Sequence, residues 1–149
     1  MVRNLDNSVL FIQGPPGAGK TYTGSHVIVD LLKAGNRIGV TSNSHHAINN
    51  LLAAVESRAQ EEGFTFKGLK KSSEGEGTEF TGRCIRSIED KTEFLDAWGP
   101  NIDLTAGTAW LFADPAFTEQ LDYLFIDEAG QVSVANLVTM GTSAPVRRA

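Results

Sequence analysis

A single cysteine, Cys84, stands in 149 residues, so no internal disulfide can form, and it lies in no Cys/His spacing that would build a zinc site. A reducing cytoplasm is the expected compartment. Basic residues are also scarce. Thirteen Lys plus Arg against eighteen Asp plus Glu leave a formal net charge of -5, which excludes the broad basic footprint of a strong autonomous nucleic-acid binder and confines any polynucleotide contact to a local or shared patch. No apolar run approaches the roughly 20 residues of a membrane span, and the opening MVRNLDN lacks the apolar core of a secretory signal. A soluble chain without membrane contact is expected, and no internal repeat is visible. What is present is a globular composition, 41% hydrophobic and 21% charged, in a length that makes one domain around one modest core.

Val9 to Ile12 (VLFI) is a continuously apolar run ending at a Gly/Pro cluster, the pattern of a strand covered on both faces of a parallel sheet. From Lys20 the pattern turns helical through Val27, Ile28, Leu31 and Leu32, and Gly35 is placed to end that helix in a left-handed conformation. Arg37 to Ser42 (RIGVTS) predicts a second strand. Ser44 then caps a helix carrying Ala47, Ile48, Leu51, Leu52 and Val55 at three-to-four-residue spacing. Lys70 to Gly82 (KKSSEGEGTEFTG) holds too little apolar surface to offset the entropy of ordering it, and predicts a mobile surface excursion. A helical pattern runs from Cys84 to Trp98. Ile102 to Ala106 and Tyr123 to Ile126 are further apolar runs, and Val132 to Met140 predicts a last helix. The alternation of strands and helices predicts an α/β fold with a parallel sheet flanked by helices.

Gly14-Pro15-Pro16-Gly17-Ala18-Gly19-Lys20-Thr21 fits the pattern G-x-x-x-x-G-K-[ST] between a strand and a helix, the context in which that pattern cradles phosphate. Glycines let the backbone fold tightly and turn its N–H groups onto an oxyanion, and the helix that follows adds the positive end of its dipole. Lys20 is the expected point charge for the β- and γ-phosphates of ATP, and the Thr21 hydroxyl a hard-oxygen ligand for Mg²⁺. The bland alternative is a Gly-rich turn with Lys20 solvated. Leu124 to Glu128 (LFIDE) is an apolar strand delivering two acids at its carboxyl end, the edge where open α/β sheets place ligands. Asp127 is read as a second Mg²⁺ ligand, and Glu128 as the catalytic base that orients and deprotonates the attacking water. Acids that merely end a strand in solvent are the competing reading.

GPPGAGKT, TSNSHHAINNLL, GTAW and FIDEAGQ, in that order, resemble the first four helicase motifs of superfamily 1, in the branch related to the nonsense-mediated-decay helicase. They are similar above all to the helicase portion of bacterial proteins that pair such a motor with a RecB-like nuclease. The resemblance spans about Val9 to Met140 and implies a P-loop NTPase, RecA-like lobe that couples Mg-ATP hydrolysis to movement on DNA or RNA. It also implies nucleic-acid contacts at Ser44 and His45 in motif Ia and at Thr108 in motif Ic, and a catalytic role for Gln131 in linking nucleotide state to a partner lobe. On residue type alone Ser44 is equally a plain helix cap, although a helix start does offer free N–H groups to a phosphate. His45 and His46 do not read as metal ligands, because adjacent helical side chains diverge by roughly 100°. Trp98 and Trp110 could stack on bases, yet core packing is the commoner use of Trp and is expected for both.

The family continues into a strand and a Gly-Asp-x-x-Gln motif where this sequence ends in APVRRA. The expectation is therefore an incomplete lobe, cut before motif III. It would need a second RecA-like lobe to supply an arginine, and would work beside a RecB-like nuclease domain in an intact protein. Such a chain alone is expected to bind nucleotide and single-stranded DNA or RNA weakly and to hydrolyse ATP slowly. Two alternatives remain. A small-molecule P-loop kinase would need lid arginines, for which only Arg83 and Arg86 offer themselves in the middle of the chain. A non-enzymatic truncated remnant would keep nucleotide binding only as a stabilising device.

Overall fold

The computed structural model describes residues 8–12, 18–42, 44–114, 117 and 120–127. The elements among them run β1 (Ser8–Ile12), α1 (Ala18–Lys33), β2 (Ile38–Ser42), α2 (His45–Glu61), β3 (Gly68–Lys71), β4 (Ile85–Ile88), α3 (Lys91–Ala97), β5 (Leu104–Thr108), α4 (Ala109–Phe112) and β6 (Tyr123–Asp127). The six strands form one sheet in the order β1-β6-β2-β5-β3-β4, and every pairing is parallel. A parallel sheet must be covered on both faces, which is why its central strands read as unbroken apolar runs. In β6, Phe125 faces one cluster while Leu124 and Ile126 face the other.

Helices α1 and α2 cover the first face. Ile28, Leu31, Leu32, Ile48, Leu51, Leu52 and Val55 pack there on Ile38, Val40, Leu104, Ala106 and Phe125. On the second face Phe94 of α3, Leu111 and Phe112 of α4, and Phe117 pack on Leu69, Leu124 and Ile126. This is the helix-flanked parallel α/β sheet expected of a P-loop, RecA-like lobe. Helix α1 ends as its sequence predicts: Gly35 takes φ 88°, and the N–H of Asn36 donates to Leu31 O at 3.1 Å, closing the left-handed cap.

Two expectations are corrected. Lys70 and Lys71 do not open a surface excursion. They complete β3 between β5 and β4, and Lys70 has no exposed surface. Nor is there one helix from Cys84 to Trp98, because β4 occupies Ile85–Ile88 and only the short α3 follows, capped by Asp90 accepting from Glu93 N–H at 2.8 Å. The three-residue spacing of Ile85 and Ile88 looked helical, but strand alternation puts such residues on opposite faces, and here Ile85 joins the first cluster and Ile88 the second. The run read from Ile102 becomes a strand only at Leu104 and continues to Thr108. The helix predicted for Val132 to Met140 lies outside the described residues.

The amino-terminal edge of the sheet is a structural clasp. The Arg37 guanidinium donates to Gln120 O at 3.0 Å and to Gly99 O at 2.9 Å, and lies 4.7 Å from the centroid of the Trp98 ring. Burial lowers its pKa against the opposing pull of Asp122 and Asp103, but a guanidinium stays charged at any working pH. Trp98 is as packed as expected: its ring meets Phe117 at 4.6 Å between centroids, and its indole N–H donates to Thr105 Oγ1 at 2.9 Å.

Candidate functional site at the carboxyl edge

Because all six strands are parallel, Ile12, Ser42, Lys71, Ile88, Thr108 and Asp127 end along one edge. The sequence-predicted site residues that are described gather there. β1 pairs directly with β6, and the last pair in the register is Ile12 with Asp127. The chain that leaves β1 toward α1 therefore starts one strand spacing, about 4.8 Å, from the end that carries Asp127. Ala18, Gly19, Lys20 and Thr21 form the first turn of α1, on the far side of that connection. Gly14, Pro15, Pro16 and Gly17 of the phosphate-loop pattern, and Glu128 and Gln131 beyond β6, lie outside the described residues.

A second group follows β2 and β5. Ser42 and Thr108 are paired in register, so Ser44 and the residues after Thr108 leave the sheet side by side. Ser44 is the N-cap of α2, with an extended backbone and a side chain that accepts from Ala47 N–H at 3.2 Å. Capping by Ser44 uses one of the free donors of the helix start; the dipole of a 17-residue helix remains. His45 and His46 diverge as their spacing requires: His45 turns to Lys70 and Ser73, while His46 Nε2 meets Asn50 Nδ2 at 3.2 Å.

Lys70 is the residue that sequence reasoning missed. Its Nζ donates to Thr78 O and to His45 Nδ1, the latter at 3.0 Å. That donation leaves the proton of a neutral His45 ring on Nε2, which donates to Ser73 Oγ at 3.1 Å. Burial, with Lys71 adding repulsion, pushes the Lys70 pKa down to about 8. Burial first, then Lys70 and Lys71, lowers the His45 pKa as well, so its ring is neutral at pH 7. Asn49 Nδ2 donates to Gly77 O and Glu79 O, both at 3.1 Å. Residues 73 to 79 are thereby tied to the first two turns of α2. Nothing in the letters KKSSEGEG separates a buried lysine from a solvated one, since that difference is made by the strands on either side of β3.

Trp110 is the second surprise. Core packing was expected, yet Trp110 is 77% exposed and is the one large hydrophobic residue so exposed among those described. Its helix neighbours Leu111 and Phe112 are buried instead. A four-residue helix has room for only one apolar face, and here the two residues after Trp110 fill it. The hydroxyls of Thr41 and Ser42, both buried at the end of β2, have no hydrogen-bond partner among the described residues, an uncommon condition for buried polar groups.

Comparison with known proteins adds a family. The family described as AAA domain matches residues 2–149. The DNA replication ATP-dependent helicase/nuclease JHS1 of Arabidopsis thaliana is 32% identical over 126 residues, 83% of this chain and 9% of that protein. The DNA replication ATP-dependent helicase/nuclease DNA2 of Saccharomyces cerevisiae is 27% identical over 126 residues, again 83% of this chain and 8% of its own length. The chain thus spans less than a tenth of these curated relatives. No solved structure matches it.

Proposed function

Because the chain belongs to the AAA domain family, and its sheet is a superfamily 1 helicase-like RecA lobe, we propose that it is the ATP-binding lobe of a nucleic-acid helicase. The observation that supports this reading is the register of Ile12 with Asp127, the strand ends from which the phosphate-loop sequence and the paired acids continue. In this proposal Gly14 to Thr21 hold the phosphates of ATP and Lys20 neutralises the β- and γ-oxygens. Thr21 and Asp127 offer a hydroxyl and a carboxylate, the hard-oxygen donors that suit Mg²⁺. Mg²⁺ held there would supply positive charge to the phosphate oxygens. Glu128 orients water and takes its proton, and Gln131 passes the state of the nucleotide to a second RecA-like lobe. Ser44, His45 and Thr108 touch the backbone of single-stranded DNA or RNA along the adjoining stretch of the same edge.

The arginine that completes such a site comes from the second lobe and is worth about 10³ to 10⁵ in rate. Without that arginine this lobe turns Mg-ATP over slowly, and with only one wall of the inter-lobe cleft it binds the nucleotide weakly. In an intact protein this lobe works beside a RecB-like nuclease domain. The test is nucleotide binding and turnover in two variants. Lys20→Ala should weaken Mg-ATP binding at least about tenfold, as loss of one phosphate-paired charge requires. Glu128→Gln should keep binding and lower the hydrolysis rate. Unchanged binding in Lys20→Ala, or unchanged turnover in Glu128→Gln, contradicts the proposal.

A further inference from the structure

We propose that Trp110 is a stacking platform for a nucleobase of a single-stranded nucleic acid whose backbone runs along the carboxyl ends of β2 and β5. This rests on the nucleic-acid reading of that edge given above and adds to it a base contact at Trp110, the last residue of GTAW, beyond the backbone contact that the resemblance implies for Thr108. Leaving an indole mostly in water forgoes the burial that usually makes Trp a core residue, and the next two side chains of the same helix, Leu111 and Phe112, are 5% and 0% exposed.

The helix that carries the platform is anchored. Gly107 lacks the side chain that would block α4 from folding back on β5, since a Cβ there would lie 2.6 Å from Leu111 Cδ2. Trp110 is thus mounted on a helix anchored through Leu111 and Phe112 in the second core cluster, and little conformational entropy is lost when a flat ligand settles on it. Its position relative to the backbone contacts follows from the register. Ser42 pairs with Thr108, so Ser44 and Trp110 each stand two residues beyond the ends of neighbouring strands, one suited to a phosphate and the other to a base.

Charge favours the same path. Lys71 Cβ lies 3.3 Å from where a Gly107 Cβ would be, and its ammonium turns to donate to Ser72 O at 2.6 Å, so the end of β3 beside β5 carries one cation. Lys71 also borders a recess lined by Glu74, Glu89, Asp90 and Glu93 against one further cation, Lys91, an acidic excess that disfavours a phosphate chain on the β4 side. The proposed route crosses the ends of β5 and β2, past Thr108 and Ser44. Stacking on an aromatic is tolerant of sequence, because every base has a π-face.

The experiment titrates the 149-residue chain, at about 50 mM salt to preserve backbone attraction, with an end-labelled thymidine oligonucleotide and with an abasic oligonucleotide of equal length. Binding is read by anisotropy and by tryptophan emission, for the unaltered chain, Trp110→Ala and Trp110→Phe. The expected result is quenching by the thymidine oligomer that disappears in Trp110→Ala, together with roughly tenfold weaker binding of that oligomer. Trp110→Phe should retain most of the affinity, and the abasic oligomer should bind all three chains alike. If Trp110→Ala binds the thymidine oligomer as the unaltered chain does, the stacking proposal falls while the backbone reading of the edge survives. Equal loss for both oligomers overturns it in favour of a structural role or of a protein partner on the indole. Failure of the unaltered chain to bind either oligomer removes both the platform and the nucleic-acid reading beneath it.

Discussion

Lys70 has 0% exposure and sits beside a histidine ring and another lysine. Folding takes its ammonium out of water, and only a backbone carbonyl and an imidazole nitrogen compensate. Its pKa accordingly falls from 10.5 in the open chain to about 8. Below pH 8 both states carry the proton and the fold bears the full penalty. Between 8 and 10.5 the unfolded chain holds more protons than the native one, so stability rises with pH. The urea midpoint of the unaltered chain should climb across that interval more steeply than that of Lys70→Met, whose thermal stability at pH 7 should be equal or higher. Parallel pH profiles for the two chains would show that Lys70 keeps its ordinary titration. What the cation does in the fold is fix the tautomer and direction of His45, one residue beyond the cap of α2.

Among the elements, β4 depends on a side chain from elsewhere in the chain. Oε1 of Glu56, on α2, accepts the N–H groups of Cys84 and Ile85 at 2.8 and 2.9 Å, and Gly82 leaves it room, since a Cβ there would lie 2.5 Å from that oxygen. Glu56→Ala leaves two donors without a partner and should cost about 3 kcal/mol, with Glu56→Gln costing less because an amide oxygen still accepts. Amide exchange at Ile85 should quicken in Glu56→Ala beyond the change in global stability, and protection there equal to the unaltered chain would refute the role. This dependence also explains what the sequence could not reveal. The strands β1, β2, β5 and β6 and the helices α1 and α2 are legible because each carries its own periodicity or apolar run. GLKK and IRSI are four residues each, one carrying two lysines and the other one arginine, and they become strands only because β5 and Glu56 supply partners. Trp110 was misread for a related reason, since residue type says how Trp is usually placed and not which of three consecutive large side chains a short helix will turn outward.

At the scale of the whole molecule, the two edges of one sheet divide the work. The amino-terminal edge is closed by Arg37, Trp98 and the carbonyls of Gly99 and Gln120, and the carboxyl edge gathers the residues with chemistry to offer. The parallel register does this without any long-range recognition between them, for it brings Asp127 beside Ile12 although 115 positions separate the two in sequence. The sequence announces both motifs of the proposed site, and the sheet order sets the strand that leads into one beside the strand that ends in the other. The net charge of -5 disfavours polyanion contact over most of the surface, so the proposed nucleic-acid contact is confined to the short stretch between Ser44 and Trp110. The most direct test of the account is calorimetric titration of the chain with ATP, in the presence of Mg²⁺ and of a chelator, alongside Asp127→Asn. If the phosphate loop and the end of β6 share one Mg-nucleotide, chelation should weaken binding in the unaltered chain, and Asp127→Asn should reproduce most of that loss and respond little to the chelator. Equal affinity under all of these conditions would mean that strand end and loop do not act on a common ligand, and the central claim would fail.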